Sequence, residues 1–228
     1  MNLPSIIDRF VTITPAALAA LAETCAFTAQ EFGITVDHAA AAENLLRVKL
    51  THTRNAWRKI CPPDYDATDP ARIPAAMQNA AMPLDMDNGR GIFLFGKPAT
   101  YKTRTIWLKL AKEFTLGKKI QHLSPHDFAL KASWAMCNAE EGNAWLTSLI
   151  DTPDILFLDD VFKNRITEAQ EFVLFSLVEG RMARRKPMCF TSNTHFTDIP
   201  TRLTEAGQKV RADALMRRLD ESCAILNV

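Results

Sequence analysis

Lys102 and Thr103 end the run Gly96-Lys97-Pro98-Ala99-Thr100-Tyr101-Lys102-Thr103, between the apolar segment Ile92 to Phe95 and an amphipathic stretch. A strand, a tight loop and a helix start in that order aim backbone N–H groups and the positive helix end at one point. That is the arrangement a phosphate group needs. In such a loop Lys102 reaches the β- and γ-phosphates of a nucleotide and the Thr103 hydroxyl ligates Mg²⁺, with Arg104 next on the same helical turn. The run departs from G-x-x-x-x-G-K-[ST] at Tyr101, which occupies the second glycine position. Glycine serves there because it reaches positive φ without steric cost. Tyr101 is therefore expected either to take that conformation under strain or to belong to a loop of slightly different shape.

Downstream, Asp154 is followed by four apolar residues, Ile155 to Leu158, and then by Asp159 and Asp160. A buried strand of this kind carries two acids to its C-terminal end, beside a phosphate loop, in the Walker B pattern. Asp159 then holds Mg²⁺, directly or through water, and Asp160 polarises the attacking water. Met188-Cys189-Phe190-Thr191-Ser192-Asn193 is another apolar strand with a polar tip, placing Asn193 to orient water or touch a γ-phosphate. Arg217 and Arg218 precede the final apolar run. An arginine there can cross a subunit interface and stabilise charge on a neighbour's γ-phosphate, and Arg218 is the preferred residue of the two.

These groups need a scaffold, and the hydropathy pattern supplies one. From Ile92 onward short apolar runs (IFLF, KIQHL, ILFL, MCFTSN, CAILNV) alternate with longer amphipathic ones, including EAQEFVLFSLVEGRMARR. Solid apolar strands alternating with helices indicate an α/β fold with a parallel sheet covered on both faces. Upstream, Pro15 to about Lys59 is Ala-rich, with Leu18, Leu21, Leu45, Leu46, Val48 and Trp57 at helical spacing. Gly33 and Thr35 divide it into two or more helices. Four prolines between Pro62 and Pro74, a fifth at Pro83 and the turn DNGRG mark a connector. The expected organisation is a helical region over 1–61, a linker over 62–90 and a nucleotide-binding core over 91–228.

The order of parts resembles the DnaC/IstB-like AAA+ ATPases, and within them the phage and prophage replicative helicase loaders. The segments that carry the likeness are LFGKPATYKTRTIWLKLAKEF, then DILFLDDVFKNRITEAQEFVLFSLVEGRMARRKPMCFTSN, then ALMRRLDESCAILNV. They cover roughly residues 90 to 228, and WRKICPPDYDATDPARIP is similar to the linker of phage-type members. The resemblance implies an AAA+ (ASCE) core without the C-terminal helical lid domain, binding ATP and Mg²⁺ through residues 96–104. It gives Lys102, Thr103, Asp159, Asp160 and Asn193 the Walker A, Walker B and sensor-1 roles, and Arg218 the trans-acting arginine. Its implied partners are a hexameric replicative helicase, gripped by the N-terminal helices, single-stranded DNA, and further copies of the chain in an ATP-dependent oligomer. Ala99 stands where many such loops carry another glycine, and with Tyr101 it points to weak or slow ATP hydrolysis.

Composition is compatible with this reading and narrows it. The chain has 228 residues, 47% hydrophobic and 23% charged, with a net charge of +1. No global field therefore pulls it onto nucleic acid or membrane. Any DNA contact must be local, the candidates being Lys118, Lys119, Arg181, Arg184, Arg185 and Lys186, with Phe162 and Lys163 as pore-lining residues of an oligomer. No apolar stretch is long enough to span a membrane and no leader is recognisable, so a bacterial cytoplasmic setting is expected. The five cysteines form no C-x-x-C pair and are expected as reduced thiols. The histidines lack metal-ligand spacing, since Pro125 separates His122 from His126. Two other functions share this core. An IstB-type transposition ATPase would act on duplex DNA, and an interaction module would keep the fold without nucleotide.

Overall fold

The computed structural model describes residues 5–11, 38–163, 166–203 and 209–228. The chain divides into two compact units, Met1–Thr68 and Asp69–Val228. In the first, a 3-10 turn (Ile6–Arg9) is followed by the long helix α1 (His38–Trp57) and the short helix α2 (Pro63–Asp66). The helical stretch expected from Pro15 is thus present over His38–Trp57. Residues 12–37, with Leu18, Leu21, Gly33 and Thr35, lie outside the described residues. Ile6, Ile7 and Trp57 are buried. Buried Asp66 accepts from Trp57 Nε1 at 3.0 Å, from the Ser5 hydroxyl and from Arg58 Nε at 3.5 Å. Three donors thereby offset the cost of burying a carboxylate.

The second unit opens with a 3-10 turn (Pro70–Arg72) and helix α3 (Ala75–Ala81), followed by strand β1 (Gly91–Phe95) and helix α4 (Lys102–Thr115). Strand β2 (Ile120–Leu123) leads to α5 (Pro125–Cys137) and α6 (Ala139–Asp151). Then come β3 (Ile155–Leu158), α7 (Glu168–Ala183), β4 (Met188–Ser192), a 3-10 segment (Phe196–Arg202), α8 (Lys209–Ser222) and β5 (Cys223–Asn227). Each apolar run read as a strand is one. The turn Pro70–Arg72 and α3 come from the proline-rich stretch 62–90, and the unit boundary at Thr68/Asp69 falls inside that stretch. Buried Lys109 of α4 secures the chain after α3, donating to Leu84 O at 2.6 Å and Met82 O at 3.3 Å while pairing with Glu113 at 2.9 Å.

Among the described residues the strands form one sheet in the order β2-β3-β4-β1-β5, and every neighbouring pair is parallel. All C-terminal strand ends therefore open on one edge, where α/β sheets bind ligands. Alternate residues of each strand face opposite layers. Phe93, Leu156, Leu158 and Phe190 join Phe128, Leu149, Val173, Leu177, Leu215 and Leu219 in the larger core. Trp107 of α4 packs edge-on against Phe157, at 5.4 Å between ring centroids. β1, β3 and β4 are buried along their whole length, which is why they read as continuous apolar runs, while β2 and β5 are partly exposed.

The opposite edge of the sheet is held by Arg181, with no exposed surface. Its Nη1 donates to the carbonyls of Leu149, Ile150 and Pro153, and its Nη2 to those of Asp154 and Pro187. One guanidinium thus closes the C-terminal end of α6 and fastens the chain entering β3 and β4. A cation also complements the negative end of that helix. Burial lowers its pKa to about 10, which leaves it charged at neutral pH. This corrects the expectation that Arg181 is a candidate DNA contact, because a basic cluster in sequence does not reveal which member turns inward. Lysine cannot reproduce the planar, two-pronged donor. Arg181→Lys should cost roughly 2–4 kcal/mol of stability in urea unfolding, through one or two buried carbonyls left unpaired.

Candidate nucleotide site

At the open edge, β1 runs through residues 96–101 into α4. Gly96 has φ +152°, and a Cβ there would lie 1.8 Å from the carbonyl oxygen of Val228, so only glycine fits. Tyr101 adopts φ +64°, ψ +13°, and Ala99 φ +64°. Of the two expectations for Tyr101, the structure shows the first: the side chain is carried in the left-handed conformation that a glycine would take. For L-residues that conformation costs on the order of 1–2 kcal/mol, and such strain persists only where the surroundings impose it. The chain turn set by Tyr101 starts α4 at Lys102, and Tyr101 O accepts from Thr105 N at 2.9 Å.

Lys102 is 6% exposed and folds back over the loop. Its ammonium donates to Lys97 O at 2.6 Å, Gly96 O at 3.0 Å and Thr100 Oγ1 at 3.2 Å. Burial lowers its pKa, and the charges of Asp160 and Asp159 oppose that shift. Lys97, Pro98 and Ala99 are exposed, and Arg104 is half-buried on the first turn of α4. The Thr103 hydroxyl donates to Asp159 Oδ1 at 2.8 Å. A hydroxyl and a carboxylate converging this closely, with the 96–101 loop alongside, are hard oxygen donors of the kind that suit Mg²⁺, which takes few protein ligands and fills its shell with water and phosphate.

Asp160, the residue after Asp159, sits at φ +44°. Its carboxylate accepts from Asn193 N at 3.2 Å and from Asn193 Nδ2 at 2.9 Å. Its pKa is raised, first by burial and then by neighbouring Asp159, against the Asn193 amide and the cations Lys163 and Lys102. The structure therefore brings Lys102, Thr103, Asp159, Asp160 and Asn193 to the tips of β1, β3 and β4. Thr191 also belongs here, although sequence reasoning gave it no role. It bridges the two aspartates, donating to Asp159 Oδ1 and accepting from Asp160 N at 2.8 Å. The only signal in the sequence was a hydroxyl two residues before the strand-tip asparagine.

Arg218 lies elsewhere, on α8. Its Nη2 pairs with Glu179 Oε1 at 2.7 Å, and its guanidinium stacks 4.9 Å from the Phe175 ring centre. Arg217 faces Glu221 at 3.9 Å. Phe162, expected as a pore-lining aromatic, has no exposed surface and packs on Phe93 at 6.1 Å. That expectation is corrected: a side chain following the acidic tip of a buried strand can still turn into the core. Lys163 beside it is exposed. Of the basic cluster, Lys118 pairs with Asp87, Arg184 with Asp151, and Lys186 with the carbonyls of Asp151 and Pro153. Among the described residues there is no group of three or more His, Cys, Asp or Glu able to hold a metal, and no helix long and apolar enough to cross a membrane.

Two outcomes follow from the loop geometry. Tyr101→Gly should raise stability by about 1 kcal/mol in urea unfolding, by removing the left-handed strain. Asp160→Asn should raise the unfolding midpoint at pH 7. A carboxyl whose folded-state pKa is raised favours folding only at low pH, and that contribution is lost as pH rises through the folded value. The advantage of the Asp160→Asn variant over the wild-type chain should accordingly vanish below about pH 4, where the unfolded carboxyl is also protonated.

No family model and no curated protein matches the chain. Solved structures do. The crystal structure of DnaI is 19% identical, with 74% of this chain covering 90% of that one at a TM-score of 0.58. The crystal structure of the DnaC helicase loader is 17% identical, with coverages of 67% and 86% and a TM-score of 0.51. AMPPCP-bound DnaA from Aquifex aeolicus is 18% identical, with a TM-score of 0.53; 67% of this chain spans only 44% of that protein. At such identities the likeness is one of fold. The chain carries the AAA+ fold, a five-stranded parallel sheet flanked by helices.

Proposed function

We propose that this chain is an ATP-binding AAA+ helicase loader, which assembles with ATP and helps place a hexameric replicative helicase on single-stranded DNA in the bacterial cytoplasm. The observation that carries this reading is the convergence of Lys102, Thr103, Asp159, Asp160 and Asn193 on one edge of an AAA+ sheet. The loader direction is supported by DnaI and DnaC, most of whose solved lengths this chain spans. AMPPCP in the DnaA structure supports an adenine nucleotide as ligand.

In this reading the loop amides of residues 97–103 and the α4 N-terminus bind the phosphates. Lys102 exchanges the carbonyls of Gly96 and Lys97 for the β- and γ-phosphates. Bound Mg²⁺, held by Thr103 and Asp159, would neutralise charge on those phosphates. Asp160 orients the attacking water and must be ionised to do so, and Asn193 fixes the position of its carboxylate. Arg218, released from Glu179, stabilises the γ-phosphate of a neighbouring copy. The N-terminal helical region, residues 1–61, grips the helicase.

ATP with Mg²⁺ should raise the melting temperature of the chain, by the equivalent of about 2.7 kcal/mol when ligand is at a hundred times its dissociation constant. Lys102→Ala should abolish that shift. The tagged full chain with ATP and Mg²⁺ should capture a hexameric replicative helicase from lysate. Capture of a transposase or of duplex DNA without helicase would replace the loader role with a transposition role. Absence of any ATP-dependent shift would leave an interaction module with an AAA+ fold.

A further inference from the structure

Thr191 is the fourth of five residues in β4, is 1% exposed, and lies between the two aspartates of the site. Its hydroxyl has one proton and two directions to serve. The Asp160 amide, 2.8 Å away, can only donate, so the hydroxyl oxygen must accept there. The single proton is then free for Asp159 Oδ1, to which the Oγ1 is closely bonded. The bond directions are therefore fixed by chemistry. The β-branch restricts χ1, and burial removes competing water.

Asp159 Oδ1 also accepts from Thr103, on α4. In the proposed nucleotide complex the Thr103 oxygen would serve the metal as well, whereas the Thr191 hydroxyl, occupied by Asp159 and the Asp160 amide, would act only in holding the carboxylates in place. The same hydroxyl secures the amide of Asp160, whose backbone is held at φ +44°. Thr191 thus sets the aim of one aspartate through its side chain and of the other through its main chain.

We infer that Thr191 is a positioning residue of the nucleotide site, using one hydroxyl to orient Asp159 toward Mg²⁺ and to hold Asp160 in its strained turn. This assignment rests on the nucleotide-binding reading above. It differs from the role of Lys102 in not touching phosphate.

The test compares the wild-type chain with Thr191→Val, which keeps the shape and removes the hydroxyl, and Thr191→Ser, which keeps the hydroxyl. Binding of a fluorescent ATP analogue is titrated with EDTA and with Mg²⁺, and a urea unfolding curve for each variant identifies the concentration range in which it is folded. The expected result is a metal-free affinity within about twofold of wild type for all three. The additional affinity conferred by Mg²⁺ should fall about tenfold in Thr191→Val and return in Thr191→Ser. A purely packing role would not separate the metal-dependent from the metal-free affinity. An unchanged Mg²⁺ effect in Thr191→Val, or an equal loss in both variants, would overturn the assignment while leaving nucleotide binding intact. A wild-type chain that binds no nucleotide under either condition would overturn the nucleotide reading, and this assignment with it. Should Thr191→Val not fold, Thr191→Ser against Thr191→Ala supplies the same comparison with the same two readings.

Discussion

The carboxylate of Asp159 accepts hydroxyl protons from two different elements, Thr103 at the start of α4 and Thr191 near the end of β4. Those bonds tie the start of α4 after the 96–101 loop, the acidic strand and the asparagine strand into one structure. Because all strands are parallel, their C-terminal tips lie along one edge, and there side chains from three strands meet. A group at the tip of β3 can be shared by its neighbours, whereas one mid-strand would be lost in the apolar layers. The chemistry is thus confined to a few residues by topology, and the rest of the second unit serves to keep those tips in register.

The two ends of the sheet solve opposite problems. At the entry end, one charged side chain is used as a structural fastener: Arg181 meets five carbonyls and has no surface left over. At the exit end, charges are left partly satisfied. Lys102 rests on loop carbonyls that it can give up, and burial opposes the ionised form of Asp160. A buried ion held by many fixed acceptors stabilises geometry, while one resting on acceptors it can give up is ready to respond to a ligand.

Much of this was legible in the sequence. Strands β1, β3 and β4 announced themselves because burial on both faces leaves no polar alternation, and the residues at their tips could be named from order alone. What failed depended on direction. Arg181 belongs to the same basic stretch as Arg184, Arg185 and Lys186, and nothing in that stretch says that it turns inward. Phe162 follows the acidic pair and looked available, yet it completes the aromatic layer with Phe93. Thr191 went unassigned because its importance lies in two hydrogen bonds to residues about thirty positions away. The unit boundary at Thr68/Asp69 lies within the stretch read as a connector, although prolines there also open α2 and the following 3-10 turn.

The left-handed conformations at Ala99 and Tyr101 bear on the cost of binding as well as on stability. A glycine at either position would give the unfolded chain, and the loop itself, more shapes to sample. With side chains in place the loop has less conformational freedom to surrender when a ligand arrives, so less of the binding free energy goes into ordering it. The strain lowers the stability of the fold, and the stiffness it accompanies leaves the amides arrayed in advance. Rigidity here is acquired without added contacts, by restricting what the backbone is able to do.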